Sequence, residues 1–457
     1  MKIIICGAGR VGFSISKQLS EQGHSITVID PTSDLIQKIN ESQDVKGVVG
    51  MATYPSVLEK AGAKETDMII AVTRSDETNM VICQIAYSIF NIGKKIARIR
   101  SQEFLGAKWN KLYTKSNLPI DVIISPELEV AKSLVRKLEA PGALDNVPFA
   151  DGKIKILEID IKENCPLTKT SLGKLTEMFP NLDANILGVI RNEKFLILKK
   201  KDKMQISDKA FVVVNASHID KTLSAFGHEE QISKKILIIG GGNIGFNLAQ
   251  QLEENFEGTR VKIIEKNKNR AEFIANELNN TIVINGDGLD DDVLKEANVE
   301  EAETVLSLTN DDEDNIMASV LAEKFNPNKR TIALVNKQNY SLLQSSLKID
   351  DLVDPRMTTI STILKHVHKG TIESAYSILN GEYEVIEAEI IETSDLINKE
   401  LKNADLPDEI KIGAVLREKE VIIPRSNYVF KKNDIVVFLA KKDQIPLVEN
   451  IFRISAV

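Results

Sequence analysis

Two glycine-rich turns, each with an acid behind it, are the residues of this sequence best suited to chemistry. The chemistry they suit is nucleotide binding. Gly7, Ala8, Gly9, Arg10, Val11 and Gly12 form a Gly-x-Gly-x-x-Gly run directly after the apolar stretch Ile3-Ile4-Ile5-Cys6, and Gly240, Gly241, Gly242, Asn243, Ile244 and Gly245 repeat it after Ile236-Leu237-Ile238-Ile239. In such a run the first glycine permits a tight turn, the second lets backbone approach a pyrophosphate, and the third lets the helix pack on its strand. The helix amino terminus then presents unpaired N–H groups and a positive dipole end to phosphates. Asp30 follows Gly12 by 30 − 12 = 18 residues and Glu265 follows Gly245 by 265 − 245 = 20, where a carboxylate can accept hydrogen bonds from ribose hydroxyls. An acid there repels a 2′-phosphate, so a ligand of the NAD type is expected ahead of NADP.

The two copies differ where phosphates and base would lie. Arg98 ends an apolar strand and can pair with a phosphate, whereas the aligned position in the second copy is Leu334. The second site is therefore expected to hold phosphates less tightly. Conversely, Asp287 in Gly286-Asp287-Gly288 stands where the first copy has Met51. It could meet an adenine amino group, or it could cap the helix starting near Asp290. Thr73 and Thr309 follow apolar strands at the carboxyl edge of each sheet, the crevice where ligands bind in doubly wound folds. Asp76 and Asp312 open the next helix, whose positive end suits them without any ligand, and are read as structural.

The elements that must position these residues are repeated with them. Gly50 recurs as Gly286 and Thr73-Arg74-Ser75-Asp76-Glu77-Thr78-Asn79 as Thr309-Asn310-Asp311-Asp312-Glu313-Asp314-Asn315, both at a spacing of 286 − 50 = 236. Such a long period means a duplicated domain. Short β-branched runs at Ile3-Cys6, Ser25-Ile29, Val45-Val49, Met68-Val72, Lys95-Ile99 and Asp121-Ile124 alternate with helically spaced segments. The second half repeats this at Ile236-Ile239, Arg260-Ile264, Thr281-Ile284, Thr304-Ser307 and Thr331-Val335. This pattern predicts two doubly wound, Rossmann-like parallel-sheet domains of α/β class. After each, short strands with turn residues predict a small α+β domain: Lys153-Ile161, Asn185-Arg191, Phe195-Lys199 and Ala210-Val214 with a helical piece at Ser171-Phe179, then Tyr383-Ile391, Ile410-Leu416, Val421-Pro424 and Asp434-Leu439. The expected domains are 1–140, 141–230, 234–369 and 370–457, with breaks at Ala140-Pro141-Gly142, Gly227-Lys234 and Lys369-Gly370.

Composition narrows the function classes. A net charge of −8 argues against a nucleic-acid backbone as partner, since that needs a basic face. The basic run Lys199-Lys203 reads as a solvated hairpin tip. Cys6, Cys83 and Cys165 show no paired spacing, a reduced cytoplasmic pattern. No apolar run is long enough to cross a membrane, and the amino terminus enters a strand without a leader, so any membrane role is expected to be peripheral. His24, His218, His228, His366 and His368 are scattered, so no metal site is expected, and His366 and His368 are placed on a solvent-facing helix. A dehydrogenase needs an acid–base group and a substrate anchor near the nicotinamide. The small domains carry no motif for either, which favours a sensor over an enzyme.

The Gly-Ala-Gly-Arg-Val-Gly turn, Asp30, Val57-Leu58-Glu59-Lys60-Ala61-Gly62, the Ala71–Asn79 stretch and Ala97-Arg98-Ile99-Arg100 together resemble the domain that regulates potassium conductance. The order nucleotide domain, small domain, nucleotide domain, small domain resembles the Trk-type potassium-uptake regulatory subunits. That resemblance implies a cytoplasmic, non-enzymatic protein that binds NAD(H), and in many members ATP or ADP, and assembles as a ring, expected to be a tetramer, on the inner face of a membrane-embedded potassium transporter subunit. It implies ligand contacts from Gly7 to Val11, Asp30, Thr73, Arg74 and Arg98 in the first half, and from Gly240 to Ile244 and Glu265 in the second. Met51 stands where the family often has aspartate, and Leu334 where it has arginine. The rival readings are an NAD-dependent oxidoreductase with duplicated domains and a regulator of a different cation transporter.

Overall fold

The computed structural model describes all residues except 22, 175–181, 328, 338–339, 341–343, 345, 368–373, 380–381, 408, 446, 448–450 and 452–457. His368, the break at Lys369-Gly370 and most of the helical piece at Ser171-Phe179 lie outside the described residues. Strands β1 (Lys2–Cys6), β2 (Ser25–Asp30), β3 (Lys46–Val49), β4 (Met68–Ala71), β5 (Lys94–Arg98) and β6 (Val122–Ile124) form a parallel sheet in the order β3-β2-β1-β4-β5-β6. Strands β7 (Asp145–Phe149), β8 (Ile154–Asp160), β9 (Ala184–Arg191), β10 (Lys194–Leu196) and β11 (Lys209–Asn215) form an antiparallel sheet. The plan repeats with β12 (Lys235–Ile239), β13 (Arg260–Glu265), β14 (Ile282–Asn285), β15 (Thr304–Ser307), β16 (Arg330–Leu334) and β17 (Asp351–Val353), ordered β14-β13-β12-β15-β16-β17. A second antiparallel sheet follows from β18 (Ser374–Ile378), β19 (Tyr383–Glu389), β20 (Ile410–Arg417), β21 (Glu420–Ile422) and β22 (Ile435–Lys441).

Residues 1–135 with 233–366 make one compact unit, and residues 136–232 with 367–457 make another. In the first unit the central strands are apolar on both faces because helices cover both; every residue of β4 is buried. The order reverses between β1 and β4, and again between β12 and β15, which opens a crevice at each carboxyl edge. The last helix of the second copy, Pro355–Lys365, packs on the first copy's helix Arg10–Glu21, and Thr362 donates to Glu129 at 3.3 Å.

In the second unit the period-two alternation of strands does a double duty. Along β11, Ala210, Val212 and Val214 face their own domain's core, while Phe211 and Val213 face a core shared with the other small sheet. Along β22, Val436, Phe438 and Ala440 face inward and Val437 and Leu439 join the shared core. The seam is also polar in places, where Asn185 donates to the carbonyls of Ile412 and Gly413 at 3.1 and 3.3 Å. Arg191 and Arg417 (191 + 226 = 417) bind Asp208 and Asp434 in matching bidentate pairs.

Three strands escape the sequence reading. β7 contains Asp145, Asn146 and Pro148 and survives as a sheet edge, where a missing N–H is tolerated. β17 has only three residues, and β18 (Ser-Ala-Tyr-Ser-Ile) lacks a β-branched run. His366 lies in a turn beyond the helix end and is half-buried, so the solvent-facing helical placement is corrected.

Candidate functional site

Both glycine turns are built to one plan. Gly7 and Gly240 have φ of +113° and +106°, a conformation that side chains resist. A Cβ on Gly12 would sit 1.8 Å from the Gly7 carbonyl oxygen, and on Gly245 2.1 Å from that of Gly240, so the third glycine is a packing requirement. Gly9 and Gly242 would meet nothing within 4 Å, so the second glycine faces open space. Arg10 and Asn243, both exposed, begin the helices, and Val11 and Ile244 follow half-buried. Ala8 is buried beneath the turn.

The acids lock these turns. Asp30 accepts from the Ala8 N–H and the Thr32 N–H, each at 2.8 Å. Glu265 accepts from the Gly241 N–H at 2.8 Å and the Asn267 N–H at 2.7 Å. A carboxylate has about four acceptor positions, so each acid keeps capacity for a ribose hydroxyl.

Thr73 and Thr309 stand at the crevice, held by buried asparagines whose part the sequence did not disclose. The Asn79 side-chain oxygen accepts from the Thr73 N–H and hydroxyl at 2.9 and 2.7 Å, and its amide donates to the Arg98 carbonyl at 2.8 Å. Asn315 does the same for Thr309, both at 2.8 Å, and donates to the Leu334 carbonyl at 2.9 Å. Each asparagine therefore fixes the exits of two neighbouring strands. Asp76 accepts from the Arg100 and Ser101 N–H groups, and Asp312 from those of Asn336 and Lys337. Arg74 points its side chain to solvent, while its carbonyl accepts from Arg100 at 2.9 Å.

Beyond β4 and β15 the copies part. In the first, the buried atoms Asp76 Oδ1, Arg98 Nε, Gln102 Nε2, Ser125 Oγ and Glu127 Oε2 have no hydrogen-bond partner among the described residues. Burial, then the neighbouring Arg100, holds the Arg98 guanidinium below its ordinary pKa, and burial pushes Glu127 up. In the second, Leu334 replaces the arginine, and Arg356 near the start of the following helix pairs with Asp354 at 2.8 Å and donates to the Asn336 carbonyl. The first edge has unmet hydrogen-bond demand, while in the second the arginine is paired within the edge itself.

The second copy has its own features at the mouth. A cavity of about 200 Å³ is lined by Gly240, Gly242, Glu265, Asp287, Thr309 and Asp314 among others. Asp287 accepts from Lys266 Nζ at 2.7 Å and from the Leu289 N–H at 3.0 Å, and the lysine contact holds its carboxyl below the usual range. The helix Asp291–Glu296 is capped by Asp290, which removes the capping reading of Asp287. Arg270 is the residue that sequence reasoning missed. Its Nε–H donates to the Gly241 carbonyl at 2.9 Å, and its guanidinium lies over the rings of Phe246 and Phe273.

Among the described residues no group of three or more potential ligands could hold a metal, and no helix is long and apolar enough to cross a membrane. The three cysteines are buried thiols, and burial pushes Cys83 up to about 12.

Comparison with known proteins joins these sites to a family. The TrkA-N domain model matches residues 3–126 and 236–355, and the TrkA-C domain model matches 385–453. The Trk system potassium uptake protein TrkA of Azorhizobium caulinodans is 42% identical over 100% of this chain and 99% of its own length. Its counterpart in Vibrio alginolyticus is 36% identical with the same coverage. Among solved structures, the GsuK channel bound to NAD superposes with a TM-score of 0.61 at 16% identity, covering 99% of this chain and 79% of that one, a likeness of fold.

Proposed function

The chain belongs to the TrkA family, and on that premise we propose that it is a nucleotide-responsive regulatory subunit of a potassium-uptake system. The observation that carries this reading is the duplicated lock of glycine turn and acid, Asp30 on Ala8 and Glu265 on Gly241. Gly7 to Gly12, Asp30, Thr73 and Arg98 would hold a nucleotide in the first crevice; Gly240 to Gly245, Glu265, Asp287 and Thr309 would do so in the second. Arg74, whose side chain faces solvent, would act through its backbone or toward a second subunit. The ligand class is NAD(H), with ATP or ADP as an alternative occupant, and the role is binding without turnover, in keeping with relatives named for potassium uptake.

In this reading the four domains divide at 1–140, 141–230, 234–369 and 370–457. They assemble as a tetrameric ring on the inner face of the membrane, against the transporter subunit. Ligand at the first turn bears on helix Arg10–Glu21, which packs on helix Pro355–Lys365 of the second copy. That contact gives the two halves a mechanical link. Control of transport requires the ligand to prefer one ring shape by about 1–3 kcal/mol, typical of allosteric coupling. A ligand binding both shapes equally would change nothing.

Affinity purification of the tagged chain from detergent-solubilised membranes, followed by mass spectrometry, tests the assignment. A multi-span potassium transporter is expected in the eluate. Recovery of the chain alone, under conditions where a known peripheral complex survives, would overturn the partner and send attention to NADH turnover.

A further inference from the structure

We propose that Arg270 is the phosphate-holding cation of the second nucleotide site, the part that Arg98 would play in the first copy from the opposite side of its crevice. The inference rests on the nucleotide reading above. Arg270 lies on helix Lys268–Glu277, five residues past Glu265. Its guanidinium carbon is 5.4 Å from the centroid of Phe246 and 4.9 Å from that of Phe273, two cation–π contacts that restrain the side chain before any ligand arrives. Among the described residues it makes two donations, to the Gly241 carbonyl at 2.9 Å and, weakly, to Asn243 Oδ1 at 3.4 Å. A guanidinium carries five N–H donors, so about three remain for a bidentate anion.

The position fits a diphosphate. Gly242 and Asn243 are the cap and first helical residue, whose N–H groups form the phosphate end of such a site. Glu265 accepts from the N–H of Gly241 and Arg270 donates to its carbonyl, so the carboxylate and the guanidinium hold the two peptides on either side of one residue. The acid serves the ribose and the cation serves the phosphates. The cavity wall carries the acids Glu265 and Asp314, and its lysine, Lys266, is committed to Asp287. A Cβ on Gly241 would lie 2.4 Å from Ile274 Cδ1 and 3.1 Å from a Glu265 oxygen. The first copy has Ala8 in the turn and, five residues past its own acid, Leu35.

The test uses the full chain carrying Asp30→Ala and Arg98→Leu, which removes the acid and the cation of the first site. Adenosine, ADP, NAD and NADP are titrated by calorimetry. ADP should bind more tightly than adenosine. Adding Arg270→Gln should weaken ADP roughly tenfold or more while moving adenosine less than about twofold, as expected for loss of a charge-assisted contact. Arg270→Lys should restore part of the ADP preference, and it carries the test if the glutamine variant fails to give a native circular dichroism spectrum. An unchanged ratio of ADP to adenosine affinity, or an equal fall in both, overturns the proposal. NADP bound ahead of NAD in an Arg270-dependent way would move the contact to a 2′-phosphate and overturn the diphosphate assignment. If the parent chain binds nucleotide and the first-site variant binds none, this proposal falls and the nucleotide reading stands; if the parent binds none, both fall.

Discussion

The two parallel sheets keep the same turn, the same acid lock and the same asparagine clamp, and they differ in the cations set beside them. The first carries Arg98 among unpartnered polar atoms beyond β4, whereas the second fills that place with Leu334 and an internal Arg356–Asp354 pair and sets Arg270 beside the turn. What the fold requires is therefore separable from what a ligand would read. The shared residues hold the backbone in a strained, close-packed turn. The flanking residues are free to choose charge.

The most severe way to test that separation is at the glycines. Gly12→Ala and Gly245→Ala place a Cβ 1.8 and 2.1 Å from a carbonyl oxygen and should each destabilise their copy by upward of about 4 kcal/mol, read by hydrogen exchange of that sheet. Gly9→Ala, with nothing within 4 Å, should leave stability within about 0.5 kcal/mol yet weaken nucleotide binding. Loss of stability in Gly9→Ala would show that the second glycine, too, serves the fold.

The next contrast lies on the other edge of the sheets. Asp121 accepts from the Lys95 N–H and pairs with its buried ammonium at 2.7 Å, while in the second copy Asp350 accepts from the Thr331 N–H and hydroxyl. Asp121→Ala leaves the buried Lys95 ammonium with the Ile92 and Gly93 carbonyls but without its counter-charge and should cost about 3 kcal/mol. Asp350→Ala strands only neutral donors and should cost about 1–2 kcal/mol. Urea denaturation of the two variants measures the difference, and equal losses would mean that Lys95 finds another partner.

Arg98→Leu imports the second copy's residue into the first. It removes a half-buried cation whose buried Nε has no partner among the described residues, so the unfolding free energy should hold or rise by up to about 1 kcal/mol. Nucleotide affinity at the first site and nucleotide control of transport should fall together. Unchanged affinity would remove Arg98 from the site.

The smallest expected effect is electrostatic. Lys329, at the position of Gly93 in the first copy, is lowered by burial to about 8 while donating to the Val299 carbonyl. Between about pH 8 and its unfolded value near 10.5 the native state binds fewer protons than the unfolded one, so stability rises with pH. Below about 8 the penalty of the buried charge is present in full. Protection of the second sheet should therefore grow relative to the first from pH 7.5 to 9.5, and Lys329→Met should abolish the trend.

The strands of both parallel sheets, the three-residue β17 apart, were legible because parallel strands covered on both faces are continuous apolar runs. The turns and their acids were legible because three glycines and a carboxylate have a joint geometric reason to occur. Arg270 was not, since an arginine in the first turns of a polar helix carries no signal until Phe246 and Phe273 are brought beside it. The expectation of weak phosphate holding in the second copy rested on Leu334 alone and took no account of it. Asn79 and Asn315 were in view as part of a repeated stretch, but their role depends on strand exits 19 residues later in the chain. β7 and β18 were hidden because tertiary pairing, not composition, makes them strands.

The core shared by the two small sheets has a meaning for assembly. It is an interface of the kind that joins two copies of one subunit, made here within a single polypeptide, so dilution cannot dissociate it and its occupancy does not depend on how much protein the cell makes. A symmetric dimer must accept every substitution on both sides of its axis at once. Here Asn185 reaches across to the backbone of Ile412 and Gly413 while the position matching it (185 + 226 = 411) is Lys411, so each side of the seam has been able to change alone. Covalent joining gave this molecule a dimer that is permitted to be unequal, and two unequal crevices are what such freedom makes room for.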